Sequence, residues 1–508
     1  MGRAAAAGLA LLLTLGLLAP ADAGAQTKDD TVVYAIQSDM QNWDPPNSVL
    51  RESVILGYHV FDHLAARDVK TGKVAPSLAV SWRNLDETTW EVKLRPNVKF
   101  HDGSPFTARD VKAAFDRVLD EKNKLTARGN HKQIKSVEVV DDHTVRFKTD
   151  GPYPLFVERL SALVMQSEKA IKEKGHEWMQ ENPVGTGPYK LLKWSKKQEH
   201  LLVRNDDYWG AKPAFKYVRV RIIPEQATQI AELMSGGVDV IKAVPPDQMD
   251  VINKSGAART STSPILRTAF LQLDQAGRTG KNPFQDRRVR QAANLAADMD
   301  SIIKHVLNGL GDRTATVANP MAFGFDRSIK PYTQDLAAAK KLLAEAGYPN
   351  GFEVGFLTTA PIVEPALPQT SEAISSDLAK VGIRTKKRYV GEVGPYVNLV
   401  RDSKADPMFE WSWGYYSIFD VDAILYDVLK CGEPYSYYCN PALDDLIIQG
   451  RSTLDQKKRV DIYTRAQKLL HDDAAYLFKW GLRGVWGIST RVEYEAPRDE
   501  IDRMFIAK

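Results

Sequence analysis

Between residues 31 and 490 the chain keeps switching between two periodicities. Short β-branched runs, such as TVVYAI (31–36) and YVRVRIIP (217–224), alternate with stretches whose apolar residues recur every three or four positions. Residues 51–65 place Val54, Ile55, Tyr58, Phe61 and Leu64 at that spacing, which predicts a helix. Thr107 precedes ARDVKAAFDRVL (108–119), and a threonine hydroxyl there can cap the first free N–H groups of a helix. VSWRNLDETTWEVKLRP (80–96) and SVEVVDDHTVRFKT (136–149) read as hairpins turning at Asp86-Glu87 and at Asp141-Asp142-His143. From residue 286 helices dominate, with DRRVRQAANLAADMDSIIKHVL (286–307) first, and GFEVGFLTT (351–359) and GIRTKKRYV (382–390) interleaved as strands. YLFKWGLRGVWGIST (476–490) returns to strand character. The alternation has no fixed repeat, so the class is α/β with mixed sheets. At 508 residues the chain is too long for one core, and two to four domains are expected.

The first 25 residues bear on the compartment. Met1-Gly2-Arg3 is a short basic start, residues 4–19 are apolar, and Pro20 leads into Ala21-Asp22-Ala23-Gly24-Ala25. This pattern predicts a signal peptide over 1–25, cleaved near Ala23 or Ala25, and hence a periplasmic protein. No cysteine follows the apolar run, which speaks against a lipid anchor. No later segment approaches the ~20 apolar residues of a membrane helix. Cys431 and Cys439, eight positions apart, suit a disulfide in an oxidising compartment, with two free thiols as the alternative. The net charge of +4 is spread thinly. Its densest patches, at 287–290 and 386–388, adjoin amphipathic patterns and read as solvated faces, so no nucleic-acid partner is implied.

Catalytic patterns are missing. Gly277-Arg278-Thr279-Gly280-Lys281-Asn282 has the wrong spacing for a phosphate loop and lacks its hydroxyl. Gly185-Thr186-Gly187 runs into Pro188 rather than a third glycine. No G-x-S-x-G or H-E-x-x-H occurs. His59 and His63 share one helix face and could ligate a metal, but two histidines without a nearby carboxylate are a weak signal. The reading is therefore binding rather than catalysis, with no cofactor and no metal site.

Five segments then occur in a telling order: LRPNVKFHDGSPFTARDVKAAFDRV (94–118), NPVGTGPYKLLKW (182–194), VRNDDYWGAKPAFKYVRVRIIPEQATQIAELMSGGVDVI (203–241), RRVRQAANLAADMDSIIKHVLNG (287–309) and AAKKLLAEAGYPNGFE (338–353). Together the chain resembles the peptide- and nickel-type solute-binding proteins, family 5, of bacterial ABC importers. Gly103, Gly185, Gly187 and Pro188 read as turn formers within these motifs. The resemblance implies a two-lobed periplasmic binding protein fold of class II type, closing by a hinge. Lobe one would span 27–278 plus 482–508, with an extra subdomain at about 77–195, and lobe two 279–481. The chain would cross between lobes near LQLDQAG (271–277) and WGLRGVWG (480–487). The implied function is a monomeric receptor that captures a peptide-like or other small polar solute and delivers it to a membrane permease. A metal-chelate receptor and a secreted hydrolase on the same scaffold are the alternatives.

The same resemblance points EWSWGYYSIFD (410–420) toward the cleft. Alternation places Trp411, Trp413 and Tyr415 on one strand face, either as a pocket wall or as core. Tyr416 continues the wall. Asp420 reads as a loop-ordering carboxylate. Ser417 and Pro361 stand where the dipeptide-binding branch carries an acid and an arginine for the two ends of its ligand, so a zwitterion gripped at both ends is not expected. Ser38, Asp39, Trp43 and Asp44, after the first strand, complete the candidate lining.

Overall fold

The computed structural model describes residues 28–48, 51–68, 71–360, 364, 366–415 and 418–508. Its first strand, β1 (Thr31–Ile36), is followed by a small hairpin of β2 (Ala65–Arg67) and β3 (Val74–Pro76). Next come β4 (Ala79–Asp86), β5 (Thr89–Leu94), β6 (Ile134–Asp141) and β7 (Thr144–Thr149), which form a separate antiparallel sheet in the order β4-β5-β7-β6. Then β8 (Tyr189–Ser195), β9 (Glu199–Arg204), β10 (Tyr217–Ile222), β11 (Val240–Lys242) and the long β12 (Ala258–Leu273) follow. The set ends with β13 (Gly311–Arg313), β14 (Phe352–Thr359), β15 (Ile383–Val390), β16 (Met408–Gly414) and β17 (Leu477–Ser489).

One mixed sheet runs through the molecule in the order β15-β14-β16-β12-β17-β11-β1-β10-β9-β8, with β13 added to β17. β1 lies parallel to both β10 and β11, and five of its six residues are buried. Coverage on both faces explains why TVVYAI is an unbroken apolar run rather than an alternating one. In the four-stranded sheet one face stays polar and the other is packed by the helix Ala108–Leu119. Thr107 and Asp110 close a reciprocal capping box at that helix's start, as the sequence suggests.

β12 and β17 tie the two halves of the sheet together. Residues 258–264 of β12 pair with residues 483–489 of β17 on the β1 side, and residues 268–271 pair with 477–481 on the β14–β16 side. Between Pro264 and Thr268 the register breaks. The Asn319 side-chain amide donates to the carbonyls of Ile265 and Arg267 in that gap, at 3.1 and 3.0 Å. A side chain thus replaces missing ladder bonds, which buried carbonyls require.

Two sequence expectations are shortened. The helix over 51–65 stops at Val60, because His63 enters a bridge with Val164 and Ala65 starts β2. The long helix over 286–307 is two, Arg287–Ala296 and Met299–His305. The break falls at Asp298, whose carboxylate accepts from the Ser301 N–H at 3.0 Å and so caps the second helix.

Candidate functional site

β16 ends where both halves of the molecule meet. Glu410 and Ser412 point to one face of the strand, and Trp411 and Trp413 to the other. At its last residue, Gly414, an added Cβ would lie 2.5 Å from Nη2 of Arg51 and 2.5 Å from Nη2 of Arg267. Arg51 opens the helix Arg51–Val60 and Arg267 sits just past the register break of β12. Both guanidinium groups reach the Glu500 carboxylate in the C-terminal tail. Arg267 donates through Nε at 2.8 Å and through Nη2 at 3.3 Å, and Arg51 makes an ion pair with the same group. Arg267 Nη1 also donates to Ser412 Oγ at 3.1 Å. Side-chain exposures are 10% for Arg51, 9% for Arg267 and 7% for Glu500. Burial pushes the Glu500 carboxyl up, but Arg267 and Arg51 outweigh it and hold the group below the usual glutamate range. Glu500 adopts φ +61°, a left-handed conformation that costs a non-glycine residue energy unless its surroundings fix it. The Leu266 N–H donates to the Arg498 carbonyl at 2.8 Å, which docks the tail on β12.

On the same face as Ser412, Lys479 is buried between two carboxylates, Glu410 at 2.9 Å and Glu364 at 3.2 Å. Ser371 Oγ donates to Glu410 at 2.7 Å. This cluster fixes the segment after β14 to the β16–β17 core.

The opposite, aromatic face is largely filled. Trp411 stacks with Tyr396 and Tyr435 at centroid distances of 6.0 and 5.7 Å. Trp413 Nε1 donates to the Ala423 carbonyl at 2.7 Å. Tyr415 is 2% exposed; its Oη accepts from the Asn319 N–H at 2.9 Å and donates to the Val317 carbonyl at 3.4 Å. The ring therefore belongs to the core and does not line an open pocket. Asp420 is buried too. Burial pushes its pKa up to about 6, against the opposing pull of Arg459, whose Nη2 donates to it at 2.8 Å. It also accepts from the Asp422 N–H at 3.0 Å, in keeping with a loop-ordering role. Between Tyr415 and Asp420 the chain touches the other half of the molecule at Phe419. Its N–H donates to Glu158 at 3.2 Å and the Arg67 guanidinium lies 4.8 Å over its ring. Tyr416, Ser417 and Pro361 lie outside the described residues.

The candidates after β1 have local duties. Ser38 is exposed. Asp39 accepts from His200 Nε2 at 2.6 Å, the Lys197 N–H at 2.7 Å and Trp194 Nε1 at 3.3 Å. Partial burial raises its pKa, and these donors outweigh that and hold it below the usual aspartate value. It fastens the β8–β9 hairpin. Trp43 is fully buried in the core, edge-on to His200. Asp44 receives a forked pair of bonds from Arg117 at 2.9 and 2.5 Å. His59 and His63 do not converge on a metal. His59 Nδ1 donates to the Ile55 carbonyl at 3.1 Å and Nε2 accepts from the Met504 N–H at 2.9 Å. His63 stacks on Tyr58 with centroids 4.1 Å apart. Burial pushes their pKa values down to about 4 and about 3. The disulfide between Cys431 and Cys439 is formed, with Cα atoms 4.6 Å apart.

Residues 73–436 match the family described as bacterial extracellular solute-binding proteins, family 5 Middle. The chain belongs to this family. Among curated relatives, it is 29% identical over 505 residues to a dipeptide-binding protein of Escherichia coli (strain K12), covering 92% of each chain. It is 29% identical over 465 residues to the glutathione-binding protein GsiB of Pectobacterium atrosepticum, covering 88% of this chain and 87% of the relative. Among solved structures, the periplasmic binding protein DppA of Helicobacter pylori, in complex with the peptide STSA, superposes with a TM-score of 0.82 at 28% identity. That match covers 94% of this chain and 97% of the other. The family assignment and the two-lobed α/β fold expected from the collinear motifs both hold. The glycines of NPVGTGPY act structurally: a Cβ on Gly185 would sit 2.0 Å from the Val60 carbonyl oxygen.

Sequence reasoning missed Arg51, Arg267, Glu500 and Asn319. A signal existed for one of them: Arg267 is the lone charge in the apolar strand ILRTAFLQL. Arg51 and Glu500 sit in ordinary polar surroundings and become notable only once the fold brings them to Gly414.

Proposed function

We propose that this family 5 protein is a periplasmic receptor that closes two lobes on a peptide-like or other small polar solute and hands it to the permease of an ABC importer. The observation that carries the reading is the pair β12 and β17, which joins two packed halves around a junction lined by charged, buried side chains. Relatives named for dipeptides and glutathione, and a fold neighbour holding a tetrapeptide, support the solute class.

In this reading lobe one comprises residues 27–278 and 482–508, including the four-stranded sheet within the extra subdomain at 77–195, and lobe two comprises 279–481. The chain would cross between the lobes near residues 271–277 and 480–487, where β12 and β17 run side by side. The mature protein acts as a monomer after removal of residues 1–25, and no helix among the described residues is long and apolar enough to cross a membrane. It binds its solute without turning it over. The metal-chelate alternative loses the support of its two histidines, since His59 and His63 are buried in packing and hydrogen-bonding roles.

The test is native mass spectrometry of the purified mature protein, followed by calorimetry with the solute that co-purifies and with a panel of short peptides. A bound small solute that raises Tm and is recovered intact supports the receptor reading. Recovery of hydrolysis products overturns it.

A further inference from the structure

We propose that the extra subdomain of lobe one latches onto lobe two in the closed state, with Tyr153 and Arg159 of the subdomain donating hydrogen bonds to the Asp422 carboxylate of lobe two. This deepens the receptor reading and rests on it. The boundary between the two parts is already packed. Tyr153, Leu155 and Phe156 share one buried apolar cluster with Ile418, Val421 and Ala423. Polar contacts cross the same boundary where the Phe419 N–H donates to Glu158 at 3.2 Å and Lys132 Nζ donates to Tyr426 Oη at 3.2 Å.

Within this packing, donors and acceptors are left unused. Both oxygens of Asp422 lack a hydrogen-bond partner among the described residues, and so do Tyr153 Oη, Arg159 Nε, and Nε and Nη1 of Arg451. All four residues are 7% exposed or less. Arg451, in the helix Pro441–Ser452, lies 3.6 Å over the Tyr426 ring. Its Nε stays 3.6 Å from Asp422 Oδ1, too far for a hydrogen bond. The Asp422 backbone is fixed, because its N–H donates to Asp420, which Arg459 holds in turn. Lobe two therefore presents a rigidly mounted carboxylate with open acceptor sites. The subdomain presents donors, since a guanidinium only donates and a phenol can.

The two sides lie within electrostatic reach of each other. Burial raises the Tyr153 pKa, Arg159 and Arg451 oppose that rise, and Asp422 adds to it. Burial likewise pushes Asp427 of lobe two up to about 6, and Arg159 of the subdomain opposes this more than Arg451 of the same lobe does. A buried polar group without a partner is costly, and a carboxylate more so. The groups are already out of water here, so a small further approach of the subdomain satisfies Asp422 without new desolvation. Bonds made only in that arrangement lower the energy of the closed state alone, which is what shifts an opening equilibrium.

The test is a pulsed electron resonance measurement of the distance between spin labels on the ligand-free mature protein. The labels are carried by Glu138→Cys on the subdomain and Lys457→Cys on lobe two, both at exposed positions. The expected result is two distance populations. Asp422→Asn should lower the ratio of the shorter to the longer on the order of 10-fold, and Tyr153→Phe several-fold. The two replacements together should do less than the product of their separate effects, because they act on one bond. Circular dichroism checks folding. If Asp422→Asn does not fold, Tyr153→Phe and Arg159→Gln carry the test from the subdomain side. Effects that multiply in full would overturn the direct pairing. One distance, the same in every variant, would overturn the latch, while an intact solute found by native mass spectrometry would leave the receptor reading standing.

Discussion

Replacing Tyr415 tests whether the aromatic run is wall or core. The ring is 2% exposed and lies in the same apolar cluster as Leu266, Phe270 and Ile418. Its hydroxyl satisfies the Asn319 N–H, and Asn319 in turn satisfies the β12 register break through Ile265 and Arg267. Tyr415→Ala deletes a buried ring, which typically costs about 3–5 kcal/mol. Tyr415→Phe keeps the ring and strands one buried N–H, at a cost of ~1–3 kcal/mol. For a cooperative unit of about 200 residues, each kcal/mol lowers Tm by roughly 2–4 °C. The alanine variant should therefore melt roughly 10 °C lower without ligand, and the phenylalanine variant a few degrees lower. Differential scanning calorimetry of the ligand-free protein reads both. An alanine variant that melts within a degree or two of the parent but binds solute weakly would refute the core assignment and restore Tyr415 to the pocket wall.

Reduction of the Cys431–Cys439 bond should destabilise the protein. With a sequence separation of 8, the loop-closure estimate gives about 2.5 kcal/mol, read as a lower Tm in reductant and as thiol labelling that appears only after reduction. Labelling of the untreated exported protein would contradict this. His59, whose pKa burial lowers to about 4, should also make stability depend on pH. The unfolded chain binds its proton near pH 6.5 and the folded chain only near 4. Stability therefore rises with pH across that window and is lost as pH falls through it, by about 3 kcal/mol for this residue. An NMR titration in which the His59 ring becomes charged near pH 6.5 would show that it is not buried as described.

The legible parts of the fold were those written locally. TVVYAI, the Thr107 cap, both hairpins and the collinear motifs each depend on neighbours a few residues away, and each appears where the sequence places it. The site was legible only in part. Asp39 and Asp44 look available in sequence because their partners, His200 and Arg117, are 161 and 73 residues distant. Trp43 and Tyr415 look like wall residues because an aromatic ring at a strand end reads the same whether its outer side meets a ligand or another core. The Arg51, Arg267 and Glu500 cluster was invisible because 233 residues separate the latter two, and no periodicity encodes such a meeting.

Two contacts cross between the proposed lobes near the aromatic stretch: Phe419 against Arg67 and Glu158, and Lys132 Nζ donating to Tyr426 Oη at 3.2 Å. Both are modest. An exposed-type cation–π contact contributes about 0.5–1 kcal/mol and a single hydrogen bond about the same. Under the proposed closure of the lobes, contacts of this size bias the equilibrium little, so a solute that binds the closed arrangement better supplies the difference in affinity that shifts it.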